Sequence, residues 1–348
     1  MNIRIDKKER NFQVLSHIID LYVSTAIPVS SKSVTRKMDN TISSATVRNI
    51  MTELEDSGYI EQPHTSAGRI PTDSGYRHYV DFLKGRLWLK KREIERLAGE
   101  YTDRIKSIKD VIEKTSFLIS RELHYAGVVM WPNIGSLYLK HLELVKIKAE
   151  TVLAVLITMT NAVKNYIVKM NRDIGETELE KVANFVNMNY EGTGISRIST
   201  CLKDIVEAGA DGTVLRVAGP AREIIDSVVE MDIENDIYCE GLDFFTGEPE
   251  FRDPDMTRHM LQIFSSRKEI GALMQKELPH KGVRVYIGKE NKFSVFRECS
   301  IVTAGYELYG KPTGRIGVIG PTRMDYCNVL RTVSYLSELI SSKLEELY

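Results

Sequence analysis

The chain has 348 residues, of which 43% are hydrophobic and 27% are charged. This composition is typical of a soluble globular protein, and the length predicts two or three domains with ample material for a buried core. The formal net charge of −1 excludes a polycation that binds nucleic acid over its whole surface, so any such contact must be local.

The charge is unevenly divided along the chain. The first 90 residues contain 13 Lys and Arg against 10 Asp and Glu, whereas the remainder carries an excess of four negative charges. That asymmetry has the sign expected of a nucleic-acid-binding N-terminus. The first residues lack the apolar segment of a secretory signal, and no run reaches the roughly 18 apolar residues of a membrane span. We therefore expect a cytoplasmic protein.

The cysteines and histidines show no metal-binding spacing. The four cysteines form no CxxC pair, and the seven histidines form no HExxH motif. These patterns argue against a zinc ribbon and offer no disulfide framework. We expect buried free thiols, no metal site and no cofactor. The four cysteines are Cys201, Cys239, Cys299 and Cys327.

Two helices are predicted before residue 40. The first spans residues 6–24, where apolar side chains form one stripe behind a polar first turn. The second spans residues 30–38. Its first turn contains Ser31 and Lys32, which are suited to hold a phosphate; such a contact positions a protein on a duplex without reading the sequence.

A third, amphipathic helix begins after Ser43, whose hydroxyl can accept a hydrogen bond from an amide of the first turn, and ends before Gly58. Residues at i, i+3, i+4 and i+7 form its predicted buried face: Val47, Ile50, Met51 and Leu54. The opposite face carries Ser44, Ala45, Arg48, Asn49 and Thr52. Arginine and asparagine are side-chain types that pair bidentately with base edges in a major groove.

A short basic hairpin is predicted after this helix. Residues 59–62 form one strand, residues 63–68 a turn, and Arg69 begins the returning strand. His64 and Arg69 are expected at or beside the tip, where they would meet phosphate or the minor groove. Taken alone, the third helix is an ordinary surface helix with solvated polar residues. The order of three helices and a basic hairpin favours the winged variant of a helix-turn-helix.

The same stretch resembles a known family. The runs ISSATVRNIMTELEDSGYI and EQPHTSAGRIPTDSGYRHYVDFL look like the signature of the HrcA family, the bacterial heat-inducible transcription repressors. Segments such as PHTSAGRIPT are long and unusual in composition, which argues against a chance match. Ser30 stands where the family usually has Gly in its PVGSK segment, and Ser also caps a helix well. The resemblance is weak outside residues 41–83.

The resemblance implies a homodimeric repressor that binds an inverted-repeat operator, the CIRCE element, upstream of the chaperonin and DnaK operons. It also implies that the chaperonin modulates the repressor by keeping it in its active form. The implied layout is a winged-helix domain, a domain similar to the GAF fold, and an inserted domain that helps to form the dimer. A helix-turn-helix dimer reads two half-sites on one duplex, so the operator should be palindromic.

DNA contacts are predicted from the second helix, the third helix and the hairpin. Arg48 and Asn49 are the predicted base contacts, and the other residues are expected to position the protein or to contribute secondary readout. The complete predicted set is Ser31, Lys32, Ser43, Ser44, Thr46, Arg48, Asn49, His64, Thr65, Ser66 and Arg69.

Two further helical segments are predicted before the pattern changes. Residues 75–87 form a helix with Tyr76, Tyr79, Val80 and Leu83 on its buried side. Residues 88–120 are charged and carry apolar residues at three- and four-residue steps, as a packing or coiled-coil seam does. Gly99 interrupts this seam at a cost of about 1 kcal/mol relative to Ala, so a bend or break is expected there.

Strand patterns dominate the remainder of the chain. We interpret it as one α+β domain that is split in sequence, an antiparallel sheet with helices on one face. The predicted strands are residues 137–148, 151–159, 163–170, 283–287, 293–303 and 314–319, and the predicted helices are residues 177–188, 196–208, 254–278 and 325–347. The second strand is a continuous aliphatic run that fits a buried strand. The predicted domains are 1–87 (winged helix), 88–191 and 281–348 (GAF-like), and 192–280 (inserted and dimerising).

No catalytic or phosphate-binding motif is present. Residues 310–320 are rich in glycine but contain neither GxxxxGK[ST] nor the dinucleotide fingerprint, and their glycines are expected along a strand. No GxSxG motif or convincing Cys/His pair appears in the C-terminal half. We predict a non-enzyme. Two alternatives stay open: a metabolite-responsive repressor with a small ligand in the GAF-like domain, and a winged helix used only for protein contacts.

Overall fold

The computed structural model describes residues 7–64, 67–84, 91–101, 105, 107–209, 211–232, 237–241, 258, 261–262 and 267–347. Over these residues the chain forms α-helices and three antiparallel sheets of two, three and five strands. The predicted α+β class is therefore confirmed at this level.

The N-terminal unit, residues 7–84, contains four helices and a hairpin. The helices are α1 (Lys7–Thr25), α2 (Ser31–Lys37), α3 (Ser44–Asp56) and α4 (Asp73–Leu83), and strands β1 (Ile60–Glu61) and β2 (Ile70–Pro71) lie between the last two. The predicted order of elements is confirmed. Leu83 is only half-buried and ends α4 four residues before the predicted boundary, which falls outside the described residues.

The break predicted at Gly99 within residues 88–120 is confirmed. The segment forms two helices, α5 (Lys91–Gly99) and α6 (Ile108–Leu123). The first ends at Gly99, as its poor helix propensity predicts. The second has its own start signal, because the Ser107 side chain accepts from the Asp110 amide and the Asp110 carboxylate accepts from the Ser107 amide.

The five-stranded sheet forms the centre of the C-terminal body. Its order is β7–β3–β10–β9–β8, and every neighbouring pair is antiparallel. The strands are β3 (Ala126–Met130), β7 (Ile237–Glu240), β8 (Val283–Ile287), β9 (Cys299–Leu308) and β10 (Lys311–Pro321). Helix α6 and the C-terminal helix α11 (Tyr326–Glu346) pack against it, and so does α10 (Arg267–Glu277). Because the sheet is covered, β3 and nearly all of β10 are buried.

The strands of residues 139–169 form a separate three-stranded sheet. It consists of β4 (Leu139–Lys148), β5 (Thr151–Thr158) and β6 (Val163–Lys169) in that order. Helices α7 (Glu176–Tyr190), α8 (Ile195–Glu207) and α9 (Gly212–Asp232) follow it, and α7 and α9 pack on the sheet. The predicted strands are confirmed, but their predicted membership in one sheet with the C-terminal strands is wrong.

The insertion therefore begins earlier than residue 192. Strand β3 enters the five-stranded sheet, the chain then builds β4 to α9, and β7 returns to pair with β3. The predicted fully buried strand at residues 151–159 is also corrected. Strand β5 alternates buried and half-buried residues, because only one face of its sheet is covered by helices.

The glycine-rich segment lies in strand β10, as predicted. A Cβ at Gly317 would press on the Val302 carbonyl, and one at Gly314 would overlap the Tyr306 ring, so these glycines allow close approach inside the sheet. All four cysteines are free thiols, but only Cys299 is buried. Within the described ranges, no helix is long and apolar enough to cross a bilayer and no cluster of His, Cys, Asp or Glu could hold a metal ion.

Candidate nucleic-acid interface

Helix α3 is fixed in the N-terminal unit by its cap and its apolar face. Ser43 has extended backbone, and its hydroxyl accepts from the Thr46 amide at 3.1 Å. All four predicted apolar residues of α3 are buried in the core that it shares with α1: Val47, Ile50, Met51 and Leu54. The same spacing that buries these residues turns the opposite face of the helix outward.

A hydrogen bond and an ion pair fix the position of α3 relative to α1. The Asn11 amide donates to Glu53 at 3.0 Å, and the Lys7 ammonium lies 3.0 Å from the same carboxylate. These two partners lower the pKa of Glu53, the hydrogen bond from Asn11 being the larger cause. The carboxylate thus remains charged and holds the N-terminal half of α1 against α3.

The outer face of α3 presents Arg48, Asn49 and Thr52 to solvent. No ion pair of the Arg48 guanidinium and no hydrogen bond of the Asn49 amide is found within the part of the chain that the structure describes. Two adjacent side chains with unused hydrogen-bonding groups therefore stand on one exposed face. Such an arrangement is suited to the donor and acceptor pattern of base edges.

The hydroxyl groups at the start of α3 have partners inside the protein. The Ser43 and Thr46 hydroxyls lie 2.9 Å apart, and the Ser44 hydroxyl lies 3.2 Å from that of Ser31 on α2. Ser43 serves the helix as a cap. Since a hydroxyl can both donate and accept, Ser31, Ser44 and Thr46 keep further hydrogen-bonding capacity for an outside group.

A surface cleft of about 270 Å³ lies between α2, α3 and the hairpin. Its walls come from three elements that are distant in sequence: Val29, Ser30, Ser31, Arg48, Met51, Thr52, Ala67, Gly68 and Arg69. The fold therefore brings two predicted phosphate contacts, Ser31 and Arg69, and the predicted base contact Arg48 to one cleft.

Comparison with known proteins identifies the family. The family model described as the HrcA protein C terminal domain matches residues 109–330. A protein from Geobacter sulfurreducens named heat-inducible transcription repressor HrcA is 36% identical over 344 residues, which cover 98% of this chain and 99% of that protein. The chain belongs to the HrcA family.

Other members confirm that the similarity includes the N-terminal unit. The relative of the same name from Carboxydothermus hydrogenoformans is 36% identical over 335 residues, covering 96% of this chain and 97% of its own. The relative from Syntrophobacter fumaroxidans is 32% identical over 345 residues, covering 98% of each chain. The resemblance read from residues 41–83 alone is thereby confirmed for almost the whole chain.

A solved structure shares the fold of this HrcA-family chain. It is described as the crystal structure of a hypothetical protein at 2.2 Å resolution, and it aligns with a TM-score of 0.65 at 21% sequence identity. The alignment covers 99% of this chain and 100% of that one. At this identity the likeness concerns the fold alone.

Arg69 differs from its predicted setting beside the hairpin tip. Its amide and carbonyl form two hydrogen bonds with Val29, at 2.9 and 2.8 Å, and its guanidinium binds Glu55 of α3 through Nε and Nη2, each at 2.9 Å. Arg69 thus lies where the loop of the hairpin joins β2, held between Val29 and α3. The reason is the bridge to Val29, which also requires Gly68, where a Cβ would overlap the backbone of residues 28 and 29.

The remaining predicted residues divide by exposure. Lys32 and His64 are exposed, on α2 and on the turn of the hairpin respectively. Thr65 and Ser66 lie outside the described residues. Sequence reasoning missed Glu55 as the partner of Arg69, since 14 positions separate them and no local spacing links them. The amphipathic pattern of α3 nevertheless contained a signal, because Glu55 lies at the edge of its polar face.

Proposed function

We propose that this chain is a transcription repressor of heat-shock genes, a non-enzyme that acts in the cytoplasm on double-stranded DNA. The names of its relatives support this function, and the local geometry supports the mode of binding. The decisive observation is the exposed outer face of α3, where Arg48 and Asn49 are adjacent and Arg48 lines the cleft between α2 and the hairpin. We assign this unit as a winged helix-turn-helix.

In this proposal α3 enters the major groove. Arg48 reaches the O6 and N7 atoms of a guanine, and Asn49 reaches an adenine, which are the bidentate pairs that their side chains form. Ser44 and Thr46 give positioning or secondary readout. Ser31, Lys32 and Arg69 surround the base contacts and hold phosphate, together with His64, Thr65 and Ser66 of the hairpin, whereas Ser43 acts through its cap.

The outer face of the three-stranded sheet supports a homodimer. Val145, Leu153 and Ile167 form one row across β4, β5 and β6. Ile157 and Val163 pair two rows further along the same face, beyond the row of Glu143, Val155 and Asn165. Val145, Val163 and Ile167 are 44%, 59% and 63% exposed. Several exposed, branched apolar side chains on one face of a sheet mark an interaction surface. A second copy of the chain would cover it with an identical face.

The dimer gives the operator its symmetry. Two α3 helices related by a twofold axis read two half-sites of opposite orientation, so the operator is an inverted repeat. The family resemblance names the CIRCE element upstream of the chaperonin and DnaK operons. We therefore propose chaperone operons as the regulated genes.

The chaperonin is the proposed modulator. A marginally stable repressor unfolds or aggregates on warming. If the chaperonin refolds it, the amount of active repressor depends on how much chaperonin is free. Operator occupancy measured after a heat pulse, with and without purified chaperonin, tests this part. Equal occupancy in the two samples would show that the chaperonin does not modulate the repressor. The proposal that the chain binds DNA would not be affected.

We assign the five-stranded sheet with α6, α10 and α11 as a GAF-like domain. Its β3–β10 surface on the α10 side is filled by apolar side chains, among them Met274, Phe296 and Ile301. This packing favours a structural role over the metabolite-responsive alternative. A ligand that binds only the folded state would raise the melting temperature, so a thermal scan against small metabolites separates the two.

Gel shift on three duplexes tests the proposed function. The duplexes carry an inverted repeat from a chaperone promoter, a single half-site, and a scrambled sequence of equal length. We expect a specific complex on the inverted repeat at about 1,000-fold lower concentration than on the scrambled duplex. Equal affinity for all three would reject the repressor and leave the N-terminal unit as a module for protein contacts.

A further inference from the structure

Helix α4 is bound on two sides by different parts of the chain. One side carries Tyr79 and Val80, which are buried in the core of the N-terminal unit. Another side carries Arg77, whose guanidinium reaches the body of the protein. Its Nε donates to Glu290 Oε1 at 2.7 Å, and its Nη2 donates to Glu290 Oε2 at 2.5 Å and to the Val285 carbonyl at 2.7 Å.

The Arg77–Glu290 pair has the geometry of a strong contact. Two parallel N–H···O bonds join a planar guanidinium to a carboxylate, and both side chains are only partly exposed, at 25% and 34%. Glu290 is itself held by the Ile287 amide at 2.9 Å. The hydrogen bonds that Arg77 donates to Glu290 are the main cause that raises the pKa of Arg77. This pair therefore fixes both the distance and the angle between α4 and the end of β8.

Asp73 forms a second contact one turn earlier in α4. Its carboxylate accepts from the Lys289 amide at 3.1 Å. The neighbouring Gly288 has φ +50°, and a Cβ at this position would overlap the Asp73 carboxylate. The turn at residues 288–290 is thus shaped to receive the start of α4.

A buried aromatic contact lies between these polar pairs. The rings of Tyr76 on α4 and Tyr326 on α11 are 5.5 Å apart, and both side chains are buried. The Tyr326 hydroxyl lies 2.6 Å from that of Ser300 in β9 and donates to the Thr322 carbonyl at 2.8 Å. Arg323 donates to the Val23 carbonyl of α1. The joint, which we define as Asp73, Tyr76 and Arg77 with their partners in the body, therefore has a buried aromatic contact at its centre.

We infer that Asp73 and Arg77 are positioning residues that set the half-site spacing accepted by the dimer. The inference rests on the proposed function, in which two copies of the chain read one inverted repeat. Since the joint fixes each N-terminal unit on its body, the dimer holds its two α3 helices at one separation and one angle. The operator must match both.

Duplex geometry makes this requirement strict. Adding one base pair between half-sites moves the second half-site by about 3.4 Å and rotates it by about 35° around the helix axis. A unit on a flexible linker follows such a change at little cost. A unit held by a bidentate ion pair and a buried aromatic contact must break the joint or lose one half-site.

The test measures affinity against spacer length. The probe is the inverted-repeat duplex that the wild-type chain selects from a randomised pool, together with derivatives whose spacer is one or two base pairs longer or shorter. A duplex with a single half-site reports the N-terminal unit alone. The variants are Arg77→Ala and the nearly isosteric Glu290→Gln, and both are first compared with the wild type by circular dichroism.

We expect the wild type to lose at least about 30-fold in affinity when the spacer changes by two base pairs, and the variants to lose less than about threefold. Both variants should keep the wild-type affinity for the single half-site, which a merely unfolded unit would not. Arg77→Lys retains the charge without the planar fork and should give an intermediate profile. Arg172→Ala is the matched control, since it removes another bidentate pair, with Glu178, inside the insertion.

The outcomes separate the inference from the function on which it rests. A wild type that selects no inverted repeat overturns both. A wild type with a sharp spacing optimum, together with a folded Glu290→Gln variant of unchanged profile, overturns the positioning role alone. A flattened profile for Arg172→Ala as well would also overturn it, because loss of any ion pair would then have the same effect.

Discussion

Two exposed faces of the molecule differ in the kind of partner that they suit. The outer face of α3 is polar and carries Arg48 and Asn49, whereas the outer face of the three-stranded sheet carries Val145, Val163 and Ile167. Both belong to elements whose other face is buried. Solvent exposure alone therefore says nothing about what a face binds, and the side chains decide.

The difference is one of desolvation. An arginine or asparagine contributes favourable binding free energy when the donors and acceptors of a base edge, in fixed directions, replace its bound water. A valine or isoleucine makes no directional contact. Its burial contributes about 25 cal/mol of binding free energy for each Å² of apolar surface that leaves water. The first face favours a duplex and the second favours another apolar face, so substitutions that exchange these properties should disable them separately.

The largest effect is expected from Ile167→Lys on the sheet face. In a symmetric dimer the substitution places two ammonium groups in an apolar interface without partners. We expect dissociation to monomers at micromolar concentration and a loss of at least about 100-fold in affinity for the inverted repeat, with little change on a single half-site. Sedimentation equilibrium and gel shift measure the two effects.

Met188→Lys is the matched control for this substitution. Met188 is 86% exposed on α7 and lies outside the sheet, so the same chemical change there should leave the dimer intact. Should Ile167→Lys remain dimeric, or should both variants dissociate equally, the assignment of the sheet face as the dimer surface is wrong.

Arg48→Ala is expected to have the next largest effect, and on the polar face. Loss of a bidentate pair with guanine costs about 1–3 kcal/mol, or roughly 5- to 150-fold in operator affinity, and relaxes the preference at one base position. Competition with operators that vary at each position measures both quantities. Lys84→Ala removes another cation of the same unit, at the end of α4, and should change neither. If Arg48→Ala binds the operator with wild-type affinity, Arg48 does not read a base.

The sequence predicted the N-terminal unit well because its signals are local. The cap at Ser43, the spacing of the apolar residues in α3 and the stop at Gly58 all act within a few residues, and each has the predicted place in the structure. The pairing of Arg69 with Glu55 was not predictable in this way. It depends on how the hairpin folds back on α3, which no spacing in the sequence encodes.

Prediction of the C-terminal body from the sequence was limited in the same way, over longer distances along the chain. The individual strands β4, β5 and β6 were predicted from their composition, but the sheet to which they belong was not. Alternation along a strand indicates which residues share a face, and it carries no information on the neighbouring strand. The return of the chain from α9 into β7 beside β3 is a pairing across more than 100 residues, so the start of the insertion could not be located.

The pair of Arg69 and Glu55 allows a sharper test of the polar face. If Arg69 holds phosphate, Arg69→Ala weakens binding by about tenfold on operator and scrambled duplex alike and lowers the salt slope by about 0.9. Glu55→Ala should act in the opposite direction, because it removes the negative charge that neutralises this guanidinium. If Arg69 only clamps the hairpin to α3, both variants weaken operator binding and neither changes the slope. Titrations at several salt concentrations distinguish the two.

The smallest effect is expected from Lys32→Ala. Lys32 is exposed in the first turn of α2 and has no ion pair within the described residues, so its ammonium is available to a phosphate. One lost phosphate contact lowers the slope of log affinity against log salt by about 0.9 and weakens binding about threefold on every duplex. The even loss across sequences is the informative result, because Arg48→Ala should weaken the operator far more than the scrambled duplex. A Lys32→Ala variant that discriminates between sequences would make Lys32 a base contact and would extend the reading surface from α3 to α2.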